Sequence, residues 1–250
     1  MRRGTWILIG LVVVVVGLGL LYWPLGSLNR DSGTPSFSDV AFIEFDLENS
    51  PVEFTTGGQD VVVDYTSSAG LFGSNDVTIE QRGDVLHIDQ DCTGFILNFG
   101  CQASFDVTVP DGARVSGATS NGAVSLVGLD GPVDVATSNG AITLEGLTSS
   151  VVARTSNGAI TGNGLGSAEV DLVTSNGRIS LTFINPPSSV AVRSSNGALD
   201  VVLPPDAPPF AVETSTSNGS VTIDIRTDPT ASQSISMRTS NGAITLEYDE

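Results

Sequence analysis

The sequence predicts an all-β chain, a β-solenoid of stacked coils of 18 to 23 residues preceded by one N-terminal transmembrane helix. Three observations predict it. The phrase Ser-Asn-Gly recurs seven times, with its asparagines at Asn121, Asn139, Asn157, Asn176, Asn196, Asn218 and Asn241 and its glycines at Gly122, Gly140, Gly158, Gly177, Gly197, Gly219 and Gly242. Successive asparagines lie 18, 18, 19, 20, 22 and 23 residues apart, and a near-constant internal period marks a repeat architecture before any single residue is weighed. Between the phrases apolar and polar residues alternate with the period of two that a half-buried strand requires, and the first 25 residues differ in kind from everything after them.

That first segment, 1–25, reads as the membrane anchor. Thr5 to Leu25 is almost wholly apolar, with valine at each position from Val12 to Val16 and aromatics at Trp6, Tyr22 and Trp23. At about 1.5 Å per residue, roughly 20 residues cross a hydrocarbon core about 30 Å thick. Arg2 and Arg3 precede the run, so the positive-inside tendency places the N-terminus in the cytoplasm and the remainder outside. A cleaved signal peptide is the competing reading, against which stand the length of the apolar run and the lack of an A-x-A-like site after it. The expected location is the cell membrane, single-pass, with the C-terminal domain extracellular and residues 5–25 as the membrane contact.

Residues 26–38 are polar and turn-rich and read as a linker. Residues 39–113 read as N-terminal capping coils: Ile43, Phe45 and Leu47 lead into Asn49-Ser50-Pro51, then Val52 and Phe54 follow, a degenerate version of the later repeat. Atypical first repeats are expected where a stack needs a closed end. The regular array occupies 114–250. In it Val133, Val135 and Thr137 share one face before the phrase and Ile142 and Leu144 share one after it, with Asp134, Thr143 and Glu145 opposite. Asn-Gly suits a tight turn because both residues tolerate positive φ.

The alternation fits a hairpin meander as well as a solenoid, since a two-residue turn would also set Thr137 opposite Ile142. The recurrence of the whole Thr-Ser-Asn-Gly phrase, with Ser194 the one change at its first position, favours the solenoid. Coils stacked about 4.8 Å apart would align identical residues in columns and let asparagine amides bond from coil to coil. The period lengthens where proline-rich pieces begin at Ile184, Leu203 and Arg226, which are expected to bulge from a distant corner because proline cannot donate to an interior ladder. The last unit ends in Glu247, Asp249 and Glu250, charges expected to repel an incoming strand at the end of the stack.

The chain has 28 Asp plus Glu against 10 Arg, no Lys, and a net charge of -18, which argues against nucleic acid as a partner. Cys92 and Cys101, with eight residues between them in a segment placed outside the cell, read as a disulfide contributing about 2 to 3 kcal/mol. The one histidine, His87, occupies an outward strand position, so neither a metal cluster nor a general base is expected. Ser120, Ser138, Ser156, Ser175, Ser195, Ser217 and Ser240 hold one repeat position without a base, and repetition argues against any being a nucleophile. The outward acids Asp134, Glu145, Asp171, Asp200, Glu213, Asp224 and Glu247 are scattered, and no column of paired acids suited to glycoside hydrolysis is expected from them. Arg154, Arg193 and Arg238 each lie three residues before an asparagine; relief of local negative charge explains them more simply than an anionic-glycan site. No catalytic residue, metal ligand or cofactor is assigned.

Residues 109–147, "VPDGARVSGATSNGAVSLVGLDGPVDVATSNGAITLEGL", resemble the putative adhesin domain family of bacterial and archaeal envelope proteins, and the resemblance extends over roughly 37–250. It implies a β-solenoid-like, surface-exposed, non-enzymatic domain. The expected function is a membrane-anchored, surface-exposed, adhesin-like or structural envelope protein that contacts a cell-surface protein or glycan. The alternatives are a self-assembling scaffold whose solenoid ends dock, and a carbohydrate-active enzyme.

Overall fold

The computed structural model describes residues 30–69, 73–94 and 101–249. The apolar segment 5–25, read as a transmembrane helix, lies outside the described residues, and among those described no helix is long and apolar enough to cross a membrane. Every regular element described is a strand.

The first eight are β1 (Arg30–Gly33), β2 (Ser36–Phe37), β3 (Phe42–Leu47), β4 (Val52–Thr56), β5 (Val61–Ser68), β6 (Gly73–Arg82), β7 (Val85–Gly94) and β8 (Gln102–Val109). The repeats supply β9 (Arg114–Thr119), β10 (Val124–Val127), β11 (Val133–Thr137), β12 (Ile142–Glu145), β13 (Val151–Thr155), β14 (Ile160–Leu165), β15 (Glu169–Thr174) and β16 (Ile179–Phe183). The last six are β17 (Ser189–Asn196), β18 (Leu199–Leu203), β19 (Ala211–Asn218), β20 (Val221–Asp224), β21 (Ser234–Asn241) and β22 (Ile244–Tyr248).

The pairing decides between solenoid and meander. β11 does not pair with β12 across its own Ser-Asn-Gly; it pairs in parallel with β9 and β13, while β12 pairs in parallel with β10 and β14. Each phrase is therefore a corner at which the chain leaves one sheet for the other, and the coils stack. Equivalent residues fall in columns: Val133, Val151, Val170, Val190 and Ile235 on one sheet, and Ile142, Ile160, Ile179, Leu199 and Ile244 on the other. All ten are at most 3% exposed, so the core is the strip between the sheets. At about 1.5 to 3 kcal/mol per buried Val, Leu or Ile side chain, this strip is the main favourable contribution to folding.

Coil order along the stack departs from chain order at both ends. One sheet runs β6-β7-β3-β9 and finishes β17-β21-β19; the other runs β1-β5-β8-β4-β10 and finishes β18-β22-β20. The coil β3–β4 is thus inserted between β7–β8 and β9–β10, and the last coil, β21–β22, between β17–β18 and β19–β20. The stretches Pro204–Phe210 and Arg226–Gln233 must carry the chain past one coil and back, which explains the 22- and 23-residue spacings at Asn218 and Asn241. Their role is more than a surface bulge: Ala207 and Phe210 are fully buried, and Phe210 bridges to Thr227. The expectation that Glu247 and Asp249 guard the end of the stack is overturned for the same reason, because β22 is interior and the open edge belongs to β20.

The other end is closed differently. β5 pairs antiparallel with β8, and β6 antiparallel with β7. Part of the span read as linker is structured: β1 and β2 pair antiparallel with β5. Tyr65 stacks on Phe105 and Phe45 packs on Phe54, supplying bulk where the regular repeat is missing. A disulfide joins Cys92 to Cys101, with a Cα–Cα distance of 6.0 Å.

Candidate functional site

The repeated corner brings the same polar residues to the same place in every coil, some turned inward and some outward. Threonine points inward. Thr137 is 5% exposed; its hydroxyl donates to the Gly122 carbonyl at 3.0 Å and accepts from the Gly140 amide at 3.0 Å. Thr155, Thr174, Ser194, Thr239 and Thr216 make the same bond to the glycine carbonyl of the neighbouring coil. A buried hydroxyl column thus satisfies backbone groups that turn away from the strand ladders at the corner. The sequence reading placed Thr137 on the buried face but did not identify this bond.

Serine and asparagine point outward. The amide of each asparagine donates to the side-chain oxygen of the next: Asn139 to Asn121 at 2.6 Å, Asn157 to Asn139 at 2.8 Å, Asn176 to Asn157 and Asn196 to Asn176 at 2.9 Å. The row continues from Asn241 to Asn196 and ends from Asn218 to Asn241, both at 2.8 Å. At the other end Asn121 donates to Asn49 of the degenerate coil. All seven sequence-predicted asparagines stand in this one exposed ladder, joined by Asn49, and the outermost is Asn218 rather than Asn241.

Glycine is required for a reason other than the one expected. The only non-glycine residue described at positive φ is Asp39, and none of the seven corner glycines is among those at positive φ. The Asn-Gly turn chemistry inferred from the sequence is therefore wrong for this corner. The neighbouring coil lies against the glycine Cα instead: a Cβ on Gly140 would sit 1.8 Å from the Gly122 carbonyl oxygen, and one on Gly158 would sit 1.8 Å from that of Gly140. Ser50 occupies the equivalent position in the first coil, β3–β4, and its carbonyl oxygen would lie 1.8 Å from a Cβ on Gly122.

On the outer face the arginines are paired, and so are acids that looked scattered. Arg154 bonds Asp134 and Arg193 bonds Asp171, each at 3.0 Å, and Arg238 bonds Glu213 at 2.7 Å. Each pair crosses from one coil to the next. Asp134, Asp171 and Glu213 all lie five residues before an asparagine, a shared offset legible in the sequence but missed. These pairs are half exposed and contribute at most about 1 kcal/mol each, so relief of charge describes them adequately.

His87 faces Glu44 at 3.3 Å on the adjacent strand, away from the corners. Burial raises the Tyr65 phenol above its ordinary pKa, and a hydrogen bond to Asp31 and its charge add to the effect. Two hydrogen bonds from Thr230 lower the Asp228 carboxyl. Among the described residues no three His, Cys, Asp or Glu side chains converge as metal ligands do.

A family model described as Toastrack DUF4097 matches residues 113–247, more than half of the chain. The chain belongs to this family. No curated protein matches it. Similar solved structures include a putative adhesin from Bacteroides fragilis NCTC 9343, at 12% identity over 90% of this chain and 99% of that one, TM-score 0.48. A putative lipid binding protein from Parabacteroides distasonis ATCC 8503 is 11% identical over 88% and 98%, TM-score 0.46. A putative adhesin from the same strain is 13% identical over 90% and 98%, TM-score 0.42.

Proposed function

We propose that this Toastrack chain is a membrane-anchored, non-catalytic envelope protein that displays a rigid β-stack outside the cell for contact with a surface protein or glycan. The observation that carries the reading is the placement of polar chemistry. The serines, the asparagine ladder and the arginine–acid pairs lie in ordered rows on exposed faces, while the interior is an apolar strip closed by threonine hydroxyls. Such a surface suits recognition by an extended flat contact better than turnover of a substrate in a cleft. The apolar segment 5–25 and the arginines before it supply the anchor and the orientation.

Protease added to intact cells tests the display. The stack should be lost from the cells while a fragment containing 5–25 stays in the membrane fraction. Complete protection in whole cells, with cleavage after lysis, would overturn the orientation. Binding of the full chain to arrayed glycans and cell-surface proteins then tests recognition, and retention that survives the removal of Arg154 and Arg193 would exclude those arginines from it.

A further inference from the structure

The coil of β19 and β20 has one face covered and one open. Its inward residues hold the same register positions as fully buried neighbours: Val212 beside Ile235, Val221 beside Ile244 and Ile223 beside Leu246. The neighbours are at most 1% exposed, whereas Val221 and Ile223 keep 43% and 40% of their surface. Proteins blunt such edges with proline, lysine, a bulge or a covering element. β19 and β20 have no proline, their two charged residues, Glu213 and Asp224, stand at outward positions, and their pairing with β21 and β22 runs without a bulge. This coil is built like one that continues.

We propose that the open end docks a second copy of this chain, end to end, about a two-fold axis passing through both sheets. Such a rotation sets β19 antiparallel to its mate and β20 antiparallel to its mate at once. Both sheets then continue across the junction, and Val212, Val221 and Ile223 close over their symmetry mates. Charge also favours a like partner here. The chain carries a net -18, yet residues 211–224 include only two acids, Glu213 and Asp224, and Arg238 neutralises the first. A second acidic copy meets little repulsion on this face.

The face is about 26 Å along β19 and about 10 Å between sheets, small for a stable interface, so association in solution is weak and concentration-dependent. The chain enters the stack at β1, ten strand steps from β20 and about 48 Å away. A two-fold dimer holds its two entry points about 100 Å apart at opposite ends. Where it rests on the anchored reading above, this arrangement joins copies on facing surfaces rather than side by side on one.

Single-cysteine cross-linking of the full chain tests the proposal. Cys92 and Cys101 are bonded to each other, so an introduced thiol stands alone. Ser215→Cys on β19 and Thr222→Cys on β20 should each give a covalent homodimer on mild oxidation, while Ala136→Cys, at the equivalent outward position in mid-stack, should not. Adding Ile223→Lys to the Thr222→Cys chain should cut the yield at least tenfold while lowering the melting temperature less than the same change at fully buried Leu246, because the side chain is already 40% exposed. Val221→Lys is the second variant should Ile223→Lys unfold. Absence of dimer from both end variants, equal dimer from Ala136→Cys, a folded lysine variant that still cross-links, or a product containing a different protein would each overturn it. A failed protease test with successful cross-linking would refute the surface reading and leave the dimer standing.

Discussion

Thr-Ser-Asn-Gly is spelled identically at residues 137–140, in the middle of the stack, and at 216–219, in its end coil. In the middle Thr137 and Gly140 are buried; at the end Thr216 is half-buried and Gly219 exposed. The same four residues therefore experience different surroundings, and the difference separates what the phrase does for its own turn from what it does for its neighbours. A local turn signal would be needed equally at both places. A stacking signal should matter most where there is a coil on each side.

Alanine at the glycine should give the largest contrast. In Gly140→Ala the new methyl carbon would meet a carbonyl oxygen at 1.8 Å, with coils on both sides resisting any shift. We expect a loss of about 3 kcal/mol, the upper range for overpacking. Gly219→Ala meets the Gly242 carbonyl at 1.9 Å, but the end coil can splay outward and relieve the contact at well under half that cost. Denaturant unfolding of the two variants checks it. Equal losses would mean that glycine serves the turn itself.

Threonine to valine comes next. Thr137→Val keeps the shape and deletes a hydroxyl that serves both the Gly122 carbonyl and the Gly140 amide. Leaving such buried groups unpaired costs about 1 to 3 kcal/mol. Thr216→Val frees the Gly242 carbonyl near the surface, where water can replace the hydroxyl, so its loss should be smaller. Thermal melting of both variants against the parent measures the gap, and a Thr137→Val chain as stable as the parent would remove the hydroxyl column from the account.

The contrast between the corners also marks how much could be read from one dimension. The 18-residue spacing of Asn121, Asn139 and Asn157 translates directly into parallel register, because each coil repeats the same path. Identity of the phrase likewise implied the asparagine row. Two things were not legible. The cause of the glycine lies between coils, in a backbone approach that leaves no trace in local sequence beyond the glycine, and Asn-Gly is so strong a hairpin signal that it suggested the wrong cause. The coil exchanges at both ends are set by which edge each strand pairs with, and a sequence in which every coil has the same grammar does not specify its neighbour. The lengthened spacings at Asn218 and Asn241 were the available sign, since a chain that must skip a coil needs extra residues. The salt-bridged acids were legible and were missed: Asp134, Asp171 and Glu213 share an offset, with a paired arginine one coil away.

The smallest contrast is the one most closely tied to function. Asn139 donates to Asn121 and accepts from Asn157, whereas Asn218 donates to Asn241 and accepts from no neighbouring coil. These amides are exposed, so water competes, and the net contribution of such bonds is about 0.5 to 1.5 kcal/mol. Asn139→Ala should fall at the lower end of that range and Asn218→Ala at about half of it. Because the corner has no positive φ to satisfy, Asn139→Gly should do no better than alanine, and slightly worse for the freedom that glycine adds to the unfolded chain. Precise calorimetry on the four chains is the check, and a glycine variant clearly more stable than the alanine one would bring back turn strain as the cause. An Asn139→Ala chain indistinguishable from the parent would have a different meaning. A ladder of exposed amides that adds nothing to stability but recurs at every corner would then have to be explained by what it touches outside the molecule, and loss of partner binding in the same variant would turn the row of asparagines from scaffold into recognition surface.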